Sequence, residues 1–178
     1  MSSVVLIQRL HQHRFWTNRQ LLASATQLTT DQIRQSFDIG QGSLWKTLTH
    51  LFGAEYVWLD ALLGNDDPVA PGDAAGKLPG NQQGEDPMTT LRELQEHWTD
   101  LDVRWENYLT NLNEEKLAVE IGKVSSNTRV RSVVRCGDIV LHICTHAQYT
   151  TAQAMNMLRQ LGVESLPDPM LITMARDG

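Results

Sequence analysis

Two histidines four residues apart, His142 and His146, fall inside a stretch from Asp138 to Leu161 that reads as one long helix. At about 100° per residue their imidazoles lie roughly 40° apart on one helical face, one turn above the other, where a single metal ion can bridge them. Two protein ligands are rarely enough. A third candidate, His50, sits far upstream in another helical apolar run, Leu44 to Glu55. Packing the two helices together would gather three imidazoles around one ion with a coordination position left open, the usual construction of a catalytic rather than a structural metal site. Three neutral imidazoles leave the charge of the ion uncompensated, which favours an anion, a thiolate or a hydroxide at the open position. All-nitrogen ligation suits zinc, nickel, iron or copper better than magnesium or calcium. The expected divalent ion is zinc or nickel, with iron or manganese behind them.

Plainer readings stand beside this one. A single histidine on a helix is usually hydrogen-bonded or exposed, and a surface pair at this spacing also arises by chance. Metalloprotease helices carry a glutamate next to the first histidine of such a pair; here that position is Ile143, which rules out a peptidase of that kind. Asp138, Tyr149 and Gln153 share the face of the pair, within about 40° of His142. Tyr149 or Gln153 could donate to a bound anion or orient a substrate, or could be interior side chains with a satisfied polar tip. Asp138 could hold a ligand imidazole from behind, or cap the helix after Gly137. His13 could face the same pocket from the first helix, whereas His97 reads as exposed and Asn18 as structural. Cys144 lies about 200° around the helix from His142 and should point away from the ion.

The elements that position these residues follow from periodicity and caps. With 178 residues and 41% hydrophobic content, the chain can bury one core and reads as a single domain. A first helix is expected over about 4–28, followed by a short turn or helix started by Thr29-Thr30-Asp31; a second spans 43–64, with Ser43 as N-cap and Gly64 as stop. The segment 65–87 holds four of the six prolines and reads as a long loop, of the kind that is often functional or disordered. A third helix over 88–112 shows the cleanest pattern, Leu91, Leu94, Trp98, Leu101, Trp105, Tyr108 and Leu112 at alternating three- and four-residue spacings, a bundle seam rather than a cofactor platform. The β-branched segments Leu117–Ile121 and Val130–Val134 predict a small hairpin, after which the last helix covers 138–162 and leaves a tail over 163–178.

Composition narrows function further. The net charge is −6 with no cluster of cations, which argues against nucleic-acid binding. The longest early apolar run, Val4-Val5-Leu6-Ile7, is far too short for a signal or a membrane span, so the expected location is the cytoplasm, and two cysteines, Cys136 and Cys144, imply no disulfide framework.

Four stretches recur in a characteristic order: Phe15-Trp16-Thr17-Asn18-Arg19-Gln20-Leu21-Leu22; Ser43 through Glu55 followed by Trp58-Leu59; Gly137-Asp138-Ile139-Val140-Leu141-His142-Ile143-Cys144-Thr145-His146; and Met157-Leu158-Arg159-Gln160-Leu161-Gly162. Together they span nearly the whole chain, and the sequence resembles the DinB family, which is grouped with YfiT-like metal-dependent enzymes. The resemblance implies an all-α fold, a four-helix bundle with long crossover connections, and a metal triad of His50, His142 and His146. Many members carry a His-Arg-Gly-Gln-like run after the second histidine of the pair; Gln153 matches it, while Thr150 and Thr151 replace the basic residues. The resemblance further implies a transferase or isomerase that uses a low-molecular-weight thiol and acts on a small molecule, with a metal-dependent hydrolase as runner-up. The alternative from a different class is a non-catalytic stress-response protein that binds metal. Family members commonly pair as homodimers.

Overall fold

The computed structural model describes residues 2–177. Three of the four long helices begin where a short polar side chain takes up a free backbone N–H. Helix α1, Ser3–Ala25, is capped by Ser2, whose hydroxyl accepts from the Val5 amide. The short α2, Thr30–Arg34, opens on a reciprocal capping box between Thr29 and Gln32. Ser43 caps α3, Leu44–Leu62, and Thr90 with Glu93 caps α4, Leu91–Thr110. A single turn, α5, Glu114–Leu117, follows Asn113. Strands β1, Glu120–Val124, and β2, Arg131–Arg135, pair antiparallel with Glu120 opposite Arg135 and Gly122 opposite Val133. The chain then enters α6, Cys136–Gln160, and ends in α7, Leu171–Asp177.

Helix α6 packs against both α1 and α3, and α4 closes the bundle against the same two. The seam expected on α4 is the middle of the core: Leu94, Trp98, Leu101 and Trp105 are buried against Phe52 and Leu59 of α3 and Ile139 and Ile143 of α6. No helix among the described residues is long and apolar enough to cross a membrane.

Several expectations need correction. Helix α6 starts two residues before Asp138 because the strand β2 runs straight into it, and the Val119 carbonyl, placed by the hairpin, accepts the Cys136 amide at 2.8 Å. Asp138 is therefore an exposed acid in the first turn, favourable to the helix dipole, and not the cap. The hairpin strands sit further along than predicted, since α5 takes up the start of the first segment. The tail is not without structure. Asp168 accepts the Met170 amide at 3.2 Å and the Thr173 hydroxyl at 2.7 Å and so starts α7, which packs on α1.

Candidate metal centre

The neighbouring positions of α3 and α6 bring His50 and His146 together. Their Nε2 atoms are 3.2 Å apart, with the rings nearly perpendicular at 73° and 5.1 Å between centroids. Both side chains are half-buried. His142, one turn earlier on α6, lies 5.7 Å from His146 between ring centroids and is exposed, with its ring at the edge of Trp58, again 5.7 Å away. Thus the structure holds a close pair with a third imidazole at its rim; among the described residues no three side chains of ligand type are already drawn into one cluster.

Proton positions within the pair follow from the partners. His50 Nδ1 lies 2.8 Å from the Pro79 carbonyl, which can only accept, so Nδ1 carries the proton and the neutral ring presents a bare Nε2 to His146. His146 Nδ1 is buried without a partner. If the His146 proton sits on Nε2, it bridges to His50 and leaves Nδ1 an unpaired acceptor; if it sits on Nδ1, two bare nitrogens face each other. Either way at least one nitrogen goes unsatisfied: Nδ1 alone in the first case, and Nδ1–H with both facing Nε2 atoms in the second. A second proton does not resolve this at neutral pH, because burial, then the neighbouring His50 and His142, push His146 down to about 4. His142 is lowered too, by the partial burial of its ring against Trp58 although the residue as a whole is exposed. A divalent cation fits the arrangement: it satisfies the facing nitrogens, and a 3.2 Å separation suits two ligands that each stand about 2.0–2.1 Å from a shared ion.

The surroundings were only partly anticipated. Trp58 also carries Lys123 of β1 over its ring, with Nζ 5.1 Å from the centroid and donating to the Val124 carbonyl at 3.0 Å and to Ser126 Oγ at 3.3 Å. Burial lowers the pKa of this lysine. No sequence pattern marks Lys123, because its importance comes from where the hairpin lands. Gln153 is half-buried, its amide packed against Gly40. Tyr149 departs from expectation: its side chain is 70% exposed and stands in solvent rather than in a pocket wall. His13 is buried elsewhere, its Nε2 donating to the Pro169 carbonyl at 2.9 Å, in the cleft between α1 and α6 that Cys144 also lines. His97 is exposed as read, and Thr150 and Thr151 are buried in the bundle.

A second polar cluster, which the sequence did not announce, occupies the centre of the bundle. Glu55 of α3 is fully buried and accepts from Asn18 Nδ2 at 2.8 Å and Trp98 Nε1 at 3.3 Å while pairing with the buried Arg14 guanidinium. That guanidinium lies over the Phe15 and Trp105 rings at 4.5 and 4.8 Å. Burial raises the Glu55 pKa in spite of Arg14.

Fold and site together describe a helical bundle in which two packed helices turn imidazole nitrogens toward one another, an architecture suited to holding a metal ion. A family-wide sequence profile described as DinB family matches residues 1–176, and the chain belongs to that family. Membership supports a DinB-like metal-binding protein. No curated protein shows a significant match to the sequence.

Proposed function

We propose that this protein is a metal-dependent enzyme in which His50, His142 and His146 hold one divalent ion, zinc or nickel, and that it acts as a thiol-dependent transferase on a small molecule. The observation that supports the reading best is the meeting of the two Nε2 atoms at 3.2 Å, one of them bare because Pro79 fixes the other nitrogen of its ring. His142 is the outer ligand, on the exposed side where substrate arrives, and a side-chain rotation brings it to the pair. When bound there, a divalent ion would supply Lewis acidity that favours the thiolate form of a low-molecular-weight thiol.

In the transfer itself the thiol proton goes to solvent, the sulfur forms the new bond to the electrophilic carbon, and the leaving group departs with the electron pair of the bond that breaks. Trp58 and Pro79 flank the imidazoles and limit the approach of water from the α3 side. The hydrolase alternative would use the same ion to favour hydroxide over water. Asp73, the carboxylate on the His50 side, is committed to amide groups of its own loop and is not free to act as a base there. Pairing of two copies belongs to the same proposal; light scattering should give twice the 20.1 kDa chain mass.

Elemental analysis of untagged protein purified without a nickel column, on wild type and His146→Ala, tests the site. Near-stoichiometric metal in the wild type and none in the folded variant is the expected result, followed by thiol-dependent consumption of an electrophile by the wild type alone. Metal absent from both, with no turnover after adding zinc, nickel, iron or manganese, would sink the reading.

A further inference from the structure

The long connection between α3 and α4 contains no helix or strand among its described residues, yet its backbone is closely organised by side chains. Asp73 is the hub. One carboxylate oxygen accepts the Gly80 amide at 2.6 Å; the other accepts the Gln82 amide at 2.9 Å and the Gln82 side-chain amide at 3.1 Å. Gln82 extends the grip, donating to the Pro71 carbonyl at 2.9 Å and accepting the Met88 amide at 2.7 Å. The segment 79–82 is thereby folded back over 71–73.

The anchored Gly80 and its neighbour Pro79 touch α3. Pro79 offers its carbonyl to His50 Nδ1 at 2.8 Å, and the Gly80 carbonyl accepts the Thr49 hydroxyl at 2.9 Å. Loop and helix meet backbone to backbone there: a Cβ on Gly53 would overlap the Gly80 amide, and a Cβ on Gly80, whose φ is +81°, would overlap Thr49 and His50. Such contact leaves little slack, so the placing of the Pro79 carbonyl follows that of Gly80, and Gly80 is tied to Asp73.

We infer that Asp73 is a positioning residue for the metal centre: by holding Gly80 and Gln82 it sets the Pro79 carbonyl against His50 and keeps the proton of that ring on Nδ1, leaving Nε2 bare. A carboxylate suits the task because it is acceptor-only and here meets three N–H groups. An asparagine would turn a donor toward donors. Without the anchor, His50 is free to carry its proton on Nε2, the nitrogen that a metal needs. The tautomer part of the inference stands on geometry alone; the metal part rests on the reading proposed above.

Two variants, Asp73→Ala and the more conservative Asp73→Asn, decide it. Long-range nitrogen–proton NMR of the metal-free protein reads the His50 tautomer directly, and a competition titration with zinc reads affinity. In Asp73→Ala the Nδ1–H form of His50 should lose its dominance and zinc affinity should fall by about tenfold, the scale typical of losing support behind a ligand, while the signals of α6 stay in place. Asp73→Asn should fall between the two. A wild-type tautomer ratio in both variants would overturn the assignment, and a changed tautomer with unchanged affinity would overturn its link to metal. If the wild type itself takes up no zinc or other divalent ion, the proposed function fails, while the tautomer comparison still settles the role of Asp73.

Discussion

The bundle contains two polar clusters that differ in how their partners face each other. At its centre, charge meets countercharge: Arg14, Asn18 and Trp98 all direct donors at Glu55, and solvent has no access. Under the long loop, like meets like: His50 and His146 turn the same type of nitrogen together at 3.2 Å, beside an exposed third imidazole. The central cluster is held by its own ion pair, although Arg14 Nε and Nη2 and Asn18 Oδ1 have no hydrogen-bond partner among the described residues. In the half-buried pair the two Nε2 atoms face each other at a distance that suits a shared cation, beside the exposed His142, while His146 Nδ1 lacks a partner among the described residues. The first arrangement specifies how α1, α3 and α4 dock, and the second turns like nitrogens toward one another beside an exposed imidazole.

The contrast is tested most severely by Glu55→Ala. Removing the carboxylate leaves Arg14 buried without its countercharge, which should cost about 3–5 kcal/mol of folding stability. Urea unfolding measures it. Replacing both residues, Arg14→Met with Glu55→Leu, should recover part of the loss: it removes the stranded charge, while Asn18 and Trp98 still lose their acceptor. A cost near zero for Glu55→Ala would show that the central cluster is not closed, and the comparison would lose one of its sides.

Asp102 of α4 sharpens the same side through pH. Burial first, then the charge of Glu55, push its carboxyl up to about 7, against the opposing effects of Arg14 and Arg19. In the unfolded chain an aspartate ionises near 4, so between about pH 4 and pH 7 unfolding releases a proton that the folded state retains. The contribution is present in full below pH 4 and is lost as pH rises through 7, on the order of 4 kcal/mol at most. Asp102→Asn should therefore raise the melting temperature more at pH 8 than at pH 5. Equal shifts at both values would mean that Asp102 is ionised throughout.

What was legible in the sequence, and what was not, divides along physical lines. Local signals gave the long helices: Ser43 marks a real start, and the α4 stripe is buried as its spacing requires, while the Thr90–Glu93 box that starts α4 three residues later than expected went unread. The four-residue step from His142 to His146 put both on one face, and the juxtaposition with His50 followed once α3 and α6 were expected to pack. Long-range facts were out of reach. Asp73 reaches residues seven and nine positions away, a relation with no periodicity to reveal it. The early start of α6 depends on the Val119 carbonyl, and the raised Asp102 on Glu55 from another helix. The helix α7 was different: Asp168-Pro169 is a recognisable start signal, and the shortness of the tail hid it.

On the imidazole side, His146→Ala should reduce zinc affinity by more than about 100-fold, beyond the loss expected from disturbing a supporting residue. Its effect on the metal-free fold should be small, because the substitution also removes a buried nitrogen that has no partner. His50→Ala should weaken zinc binding as much, with a larger effect on the metal-free fold because it also removes the donor to the Pro79 carbonyl. His142→Ala separates two versions of the site, since unchanged affinity there would reduce the protein ligands to two and detach the outer histidine from the proposal.

Tyr149 should show the smallest effect. By helical angle it belongs to the histidine face, yet at 70% exposure it has no wall to pack against, and its hydroxyl has no partner among the described residues. An exposed side chain of this kind changes stability by about 0.5 kcal/mol or less, and Tyr149→Phe should leave zinc affinity within about twofold of wild type. Turnover is the informative measurement, because the ring stands on the open side of the site, three residues beyond His146. Unchanged thiol transfer would confirm that sharing a helical face does not make a residue part of a site. A drop in kcat with unaltered metal affinity would show that the hydroxyl meets substrate, and the exposed rim of the cluster would then extend one turn further along α6 than the imidazoles themselves.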